Sequence, residues 1–89
     1  MRAIVTVVAK DAVGIMALVT TYLADHGVNI MDISQTLMQE YFAMIMLVDL
    51  ATSSIPFDEL RRDLLAAGES RGLSITIQRE EIFNAMHRI

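Results

Sequence analysis

The stretch Val5-Thr-Val-Val-Ala-Lys-Asp-Ala-Val-Gly-Ile15 decides the fold of this chain. Its first half is a β-branched apolar run, typical of a buried strand, and a short polar turn follows. The turn ends in Gly14, and an apolar helical pattern begins at once. Because a helix starts with unpaired backbone N–H groups, this junction is suited to hold an anion or an amino acid against the backbone.

The first half of the chain predicts a strand, a helix and a hairpin. Residues 2–9 form the first strand, and residues 14–26 repeat apolar side chains every four positions, which predicts an amphipathic helix that ends at Gly27 in the C′ position. Residues 29–39 alternate as a second strand, and residues 41–50 form a third after a turn at Glu40. The alternation puts Ile30, Asp32 and Ser34 on one face of the second strand.

The second half predicts another helix and strand. Ser53 or Ser54 is expected to cap a helix whose first turn holds Pro56, Asp58 and Glu59. Gly72 is expected to end this helix, and residues 73–79 alternate as a fourth strand. The predicted core stripe of the helix consists of Phe57, Leu60, Leu64 and Ala67.

The order β-α-β-β-α-β predicts an α+β, ferredoxin-like fold. Its antiparallel sheet has the strand order 4-1-3-2, with both helices on one face and the other face left for a partner or ligand. Residues 1–89 form one domain, in which residues 79–89 are a helical extension. The tail is expected to pack through one apolar face made of Ile82, Phe83, Met86 and Ile89.

Composition limits the partners of this chain. It has 89 residues, of which 54% are hydrophobic, and this apolar excess in a small domain predicts a homodimer or higher oligomer. The net charge of −4 argues against nucleic acid as a partner. There is no cysteine, and His26 and His87 are too isolated to read as a metal pair, so neither a metal nor a cofactor is expected.

Localisation is predicted from apolar runs. The longest uninterrupted one, residues 42–48, is far shorter than the roughly 20 residues of a membrane helix. The N-terminus has no separate apolar region of a signal peptide. A cytoplasmic protein without membrane contact is therefore expected.

The segments Lys10-Asp-x-x-Gly-Ile15 and Gly27-Val-Asn-Ile30 resemble the ACT domain, a regulatory module that senses small ligands. The whole chain, including the tail Arg79-Glu-Glu-Ile-Phe-Asn-Ala-Met-His-Arg-Ile89, resembles stand-alone ACT proteins of the UPF0237 group. Those proteins are similar to each half of the glycine-cleavage repressor. The resemblance implies a homodimer that binds an amino acid between subunits.

The resemblance also implies a ligand site. In amino-acid-binding ACT domains, the turn after the first strand and the start of the second strand line the site. Asp11 and Asn29 fall where the serine-sensing ACT domain of phosphoglycerate dehydrogenase has two ligand-contacting asparagines, but Ala9 replaces its ligand-contacting histidine. Because the alanine side chain cannot donate a hydrogen bond, the resemblance does not imply a serine-like ligand held in the same way. The candidate ligand-binding residues are Asp11, Ala12, Val13, Gly14, Ile15, Asn29 and Ile30.

Each candidate also has a purely structural interpretation. Gly14 either leaves room for a ligand carboxylate or only permits a tight turn and close helix packing. Asp11 either accepts bonds from an ammonium group or caps the first helix. Asn29 either contacts ligand or is a left-handed turn residue after the helix.

No catalytic arrangement is found in the sequence. Acylphosphatase shares the β-α-β-β-α-β plan but needs an arginine in a glycine-containing phosphate loop, where this chain has Lys10 and Asp11. The chain is therefore interpreted as a non-enzymatic regulatory domain that senses a small molecule, most plausibly an amino acid, and acts through a homodimer and a partner protein. The alternatives are a structural protein–protein interaction module without a ligand site and, with less support, an unrecognised enzyme.

Overall fold

The computed structural model describes residues 1–10 and 14–86. The described elements follow the predicted order, with the third helix added after the last strand. They are β1 Arg2–Ala9, α1 Ile15–Asp25, β2 Asn29–Met38, β3 Tyr41–Asp49, α2 Phe57–Ser70, β4 Ser74–Arg79 and α3 Glu80–Met86.

The four strands form one antiparallel sheet in the order β2-β3-β1-β4, which confirms the predicted topology. The central strand β1 pairs with β3 from Arg2 opposite Asp49 to Ala9 opposite Phe42. On its other side β1 pairs with β4. Strands β2 and β4 are therefore the two edges of the sheet.

The core lies between one face of the sheet and the helices α1 and α2. Alternate residues of β1, from Ala3 to Ala9, are buried, and their partners on β3 are buried with them. On β4, Ile75 and Ile77 are buried opposite Val7 and Val5. The predicted position of both helices on one face is confirmed. The helical contribution to the core comes from Ile15, Val19, Leu23, Leu60 and Leu64.

Helix α1 ends at Asp25, and Gly27 occupies the predicted C′ position after the C-cap residue His26. The N–H of Gly27 donates to Ala24 O at 3.0 Å and the N–H of Val28 donates to Leu23 O at 2.9 Å, the pair of bonds of a Schellman motif. Gly27 has φ +73°, and a Cβ there would lie 2.4 Å from Thr52 O. Both the backbone conformation and the crowding therefore require glycine at this position.

The predicted serine cap of α2 is wrong. Pro56 occupies the N-cap position, and no side chain caps the helix. Ser53 Oγ instead donates to Ile55 O at 2.8 Å, and the N–H of Ser54 donates to His26 O at 2.8 Å. Both serines therefore make hydrogen bonds of the loop before α2. The bond from Ser54 ties this loop to the end of α1. Asp58 and Glu59 lie in the first turn as predicted.

The alternation predicted for β2 is also wrong at its start. Ile30 pairs with Val48 and Asp32 pairs with Leu47, so Met31 is an extra residue that makes a β-bulge. Because a bulge shifts the alternation by one residue, Ile30 faces the helices whereas Asp32 faces the opposite side of the sheet. The prediction that Ile30 shares a face with Asp32 and Ser34 fails for this reason.

Helix α3 confirms that the tail is helical through Met86, and it contacts β1 and β4. Arg2 on β1 makes a bidentate ion pair with Glu80 at the start of α3, which raises the pKa of the arginine. Ile82, predicted to be packed, is 48% exposed. The predicted packing of Phe83, Met86 and Ile89 falls on side chains outside those that the structure describes.

Candidate functional site

Gly14 opens the first turn of α1 with space in front of it. It is the N-cap residue, with φ +74° and ψ −8° in the left-handed region that favours glycine. A Cβ at this position would meet no described atom within 4 Å. Close helix packing is therefore not the reason for this glycine, and the position leaves the backbone accessible.

The helix start beside Gly14 carries backbone N–H donors that have no acceptor within α1 itself. Gly14 O accepts the first helical bond from the N–H of Leu18 at 3.0 Å, while the preceding N–H groups of the turn have no acceptor within the helix. The first turn contains no acidic residue. The partial positive charge of a helix start favours an anion. The side chain of Ile15 is buried in the core, so only its backbone is available to a ligand.

Asp11, Ala12 and Val13 lie outside the described residues, and their ligand contacts stay predictions. The N-cap position considered for Asp11 belongs to Gly14.

Asn29 and Ile30 begin β2 with different environments. Asn29 is exposed and pairs with Asp49 in the strand ladder. The left-handed conformation considered for Asn29 is wrong, because the residue has strand geometry and Gly27 makes the left-handed turn. Ile30 is half-buried against the core, where it helps to fix the start of the strand that presents Asn29.

Gly14 and Asn29 lie at opposite ends of the domain. Strand β2 runs parallel to β1, since both are antiparallel to β3, so Asn29 is level with Arg2 at the start of β1. Gly14 follows the other end of β1. Helix α1, with 11 residues, spans the distance between them, about 16 Å at 1.5 Å per residue. One chain therefore does not bring the two predicted ligand contacts together.

The β2 edge between these two positions carries several exposed apolar side chains. All but Ile30 of its residues are exposed. Four large hydrophobic side chains on this edge strand are 38–75% exposed, namely Met31, Ile33, Leu37 and Met38. We call these four residues the β2 patch. Exposed apolar side chains grouped on one edge are typical of an interaction surface.

Helices α1 and α2 are joined by a polar contact on their outer side. The hydroxyl of Tyr22 donates to Asp63 Oδ2 at 2.6 Å. Partial burial of Tyr22, and then this hydrogen bond, raise the pKa of the tyrosine. The ring of His26 packs on Tyr22 with 4.3 Å between centroids. Of these contacts, the hydrogen bond between Tyr22 and Asp63 links the two helices.

Within residues 1–10 and 14–86, no group of three or more metal-binding side chains is found. The helices in this part of the chain are all too short or too polar to span a bilayer.

The decisive comparison is with protein families. The family model described as "ACT domain" matches residues 2–78, from the start of β1 to the penultimate residue of β4. The chain belongs to the ACT-domain family. ACT domains are generally ligand-binding regulatory domains, so the predicted family and its coarse function are confirmed.

Whole-length relatives of this ACT domain carry the UPF0237 name. A UPF0237 protein of Clostridium acetobutylicum is 54% identical over 89 residues, which is 100% of each chain. A UPF0237 protein of Methanopyrus kandleri is 46% identical over 88 residues, which is 99% of this chain and 98% of the relative. The predicted resemblance to this group is confirmed. The ACT-domain match indicates a regulatory domain.

Solved structures share this ACT fold. An ACT domain protein from Streptococcus pneumoniae has a TM-score of 0.81 at 44% identity and matches 98% of each chain. A formyltetrahydrofolate deformylase from Pseudomonas syringae has a TM-score of 0.77 at 25% identity, with 88% of this chain matching 27% of that protein. The same fold thus occurs alone and as part of a larger protein.

The sequence predicted no site role for Arg61, Leu65 or Arg79. In this ACT domain all three line a groove between α2 and the β4 edge. An apolar Leu65 next to the core stripe of α2 could have indicated this groove. That interpretation requires knowing that β4 is an edge strand.

Proposed function

We propose that this ACT domain senses a small molecule, most simply an amino acid, as a homodimer and passes its state to a partner protein. The observation that carries the proposal is the open, left-handed Gly14 at a helix start without acidic side chains. A carboxylate fits such a position because it meets backbone donors and no Cβ. Asn29 supplies amide donors and an acceptor for the rest of the ligand.

The distance between Gly14 and Asn29 supports a site shared by two copies. If two β2 edges pair antiparallel about a two-fold axis, the start of β2 in one copy lies beside the end of β2 in the other. Asn29 of one copy then lies near the end of the other copy's sheet at which β1 leads into the turn before Gly14. The β2 patch favours this pairing, because its exposed apolar side chains would be removed from water.

The first experiment is a thermal-shift screen of the standard amino acids. A ligand that binds the folded state raises the melting temperature by mass action. An alternative function, a structural interaction module without a ligand site, predicts no shift with any amino acid.

The second experiment measures affinity for the screen's hit by calorimetry. Gly14→Val should block the approach to the backbone, and Asn29→Ala should remove a contact worth about 0.5–1.5 kcal/mol. Asn84→Ala, an exposed asparagine on α3, is the matched control and should bind like wild type. Circular dichroism establishes that each variant is folded, and Gly14→Ala replaces Gly14→Val if the valine variant unfolds.

A mixing experiment distinguishes a shared site from a site within one chain. When the Gly14→Val and Asn29→Ala variants are combined, a mixed dimer contains one site with both wild-type residues. Binding should therefore reappear at up to half the wild-type stoichiometry in those dimers. If the mixture binds no better than either variant alone, the two residues do not meet across a dimer.

A further inference from the structure

A groove follows the free edge of β4, away from Gly14 and the β2 patch. It is a cavity of about 460 Å³ between β4 and α2, with α3 at one end. Its floor includes Ile75 and Ile77, which are 1% and 3% exposed. Leu65 on α2 and Ile82 on α3 border it and are 46% and 48% exposed.

The helix beside this groove is held against the strand at Gly68. A Cβ on Gly68 would lie 2.9 Å from Leu73 O and 3.0 Å from Ile75 N. This close approach fixes the C-terminal part of α2 on the start of β4. The groove therefore lies beside a helix that packs closely on β4.

The exposed edge of β4 offers backbone hydrogen bonds. Strand β4 pairs with β1 on one side, and no strand of the described chain pairs with its other side. In an antiparallel ladder, alternate residues point their N–H and C=O groups away from the neighbour. An extended segment is the class of ligand that satisfies such a row of groups.

The groove carries excess positive charge in an acidic protein. Arg61 and Arg79 line it with Asp58 as the acidic residue, whereas the whole chain has a net charge of −4. Within residues 1–10 and 14–86 neither arginine makes an ion pair. The guanidinium of Arg79 lies 5.4 Å from the centroid of the Phe57 ring, a cation–π contact that orients it. An oriented guanidinium favours a carboxylate partner.

We propose that the groove binds an extended segment of a partner protein as a fifth strand on β4. An apolar side chain of this segment lies between Leu65 and Ile82, and an Asp or Glu pairs with Arg61 and Arg79. A second copy of this chain fits less well, because a symmetric contact would bring two groups of arginines together. A small molecule would leave most of the β4 edge unpaired. The proposal stands on the β4 edge and does not depend on amino-acid sensing.

The test begins with a library of random linear peptides displayed on phage and selected on the immobilised wild-type protein. Peptides that also bind the double variant Arg61→Glu/Arg79→Glu are removed. The enriched peptides should alternate apolar and polar residues and contain Asp or Glu. Absence of enrichment, or enrichment of sequences without an acidic residue, would overturn the proposal.

The selected peptide is then synthesised, and its dissociation constant is measured by fluorescence anisotropy. Arg61→Glu and Leu65→Glu should each weaken binding about tenfold, since each changes a side chain that borders the groove. Arg62→Glu is the matched control, an exposed arginine on the same helix that does not line the cavity, and it should leave affinity within about twofold. Equal losses of affinity in all three variants would mean that general charge attraction, and not the groove, holds the peptide.

Strand pairing itself is tested with the peptide backbone. N-methylation of alternate peptide amides in one register should abolish binding, whereas methylation in the other register should be tolerated, because one set of amides faces β4. Hydrogen exchange should show new protection in residues 74–79. Tolerance of both registers would exclude a fifth strand. A change in oligomeric mass in Leu65→Glu would assign the groove to contacts between copies and overturn the proposal.

Discussion

The β2 edge of the sheet is long and apolar, whereas the β4 edge is short and lies beside two arginines. Strand β2 has 10 residues, nearly all of them exposed, and carries the β2 patch. Strand β4 has 6 residues, and its buried isoleucines alternate with polar side chains. The same sheet therefore presents two edges that suit different partners. An apolar edge favours an identical copy, and a cationic groove favours an acidic strand.

The largest expected effect separates the two edges by oligomeric state. Leu37→Glu should weaken self-association roughly a hundredfold, because each substitution acts twice in a two-fold interface. Leu37 is 75% exposed, so the fold of the single chain should survive. Sedimentation velocity measures the mass, and Leu65→Glu on the other edge is the control. An unchanged dimer in Leu37→Glu, or a monomeric wild-type protein, contradicts the assignment of β2 to self-association.

The second prediction compares the glycines that hold the two edge strands. Gly27→Ala should destabilise the protein by about 3 kcal/mol or more, because a Cβ would overlap Thr52 O at a left-handed position. Gly68→Ala should destabilise the protein by only about 1 kcal/mol. Its Cβ would lie 2.9 and 3.0 Å from the two nearest atoms, a milder overlap than at Gly27, and alanine favours the helical conformation. Urea unfolding gives both values. If Gly68→Ala lost more stability than Gly27→Ala, the backbone before β4 would be more tightly constrained than the backbone before β2.

The third prediction concerns the link between the helices behind the two edges. Tyr22→Phe removes the hydrogen bond to Asp63 and should lower stability by about 1–2 kcal/mol. Because the folded state raises the pKa of Tyr22, the stabilisation is fully present below the unfolded value of about 10 and decreases as the pH rises above it. Unfolding measured from pH 8 to 11 should show a weaker decline in Tyr22→Phe than in Tyr41→Phe. Identical pH profiles in the two variants would show that the hydrogen bond between Tyr22 and Asp63 does not stabilise the folded state.

The smallest expected effect concerns the hairpin that ends the β2 edge. Gln39 adopts φ +54°, a left-handed conformation that disfavours side chains with a Cβ. Gln39→Gly should therefore stabilise the protein by about 1 kcal/mol, whereas Gln39→Ala should not. Thermal unfolding checks both variants. A stabilised alanine variant would point to the glutamine side chain rather than to its backbone.

The sequence was sufficient for the parts of the fold that periodicity controls. The alternation in β1, the helix stop at Gly27 and the order of the elements together determine the sheet topology. The bulge at Met31 could not be predicted, because an exposed edge strand leaves no buried alternation against which an extra residue would be noticed. The role of Ser53 and Ser54 was also missed, since a serine before a helix suits a loop contact as well as a cap.

The candidate site was less predictable for a geometric reason. Gly14 was recognised because a single glycine ends the polar turn between the apolar strand and the apolar helical pattern. Its relation to Asn29 depends on the direction of α1, which carries the chain from one end of the sheet to the other. The groove at β4 depends on Leu65, Arg61 and Arg79, which come together only when α2 lies over an edge strand.

The length of α1 has a consequence for how such a domain would respond in a cell. A ligand that needs Gly14 from one copy and Asn29 from another binds a site that does not exist in the single chain. Its apparent affinity then rises with protein concentration until the dimer is fully formed. A sensor built in this way would report its own abundance together with that of the ligand, and its response would weaken each time the protein is diluted by growth and division.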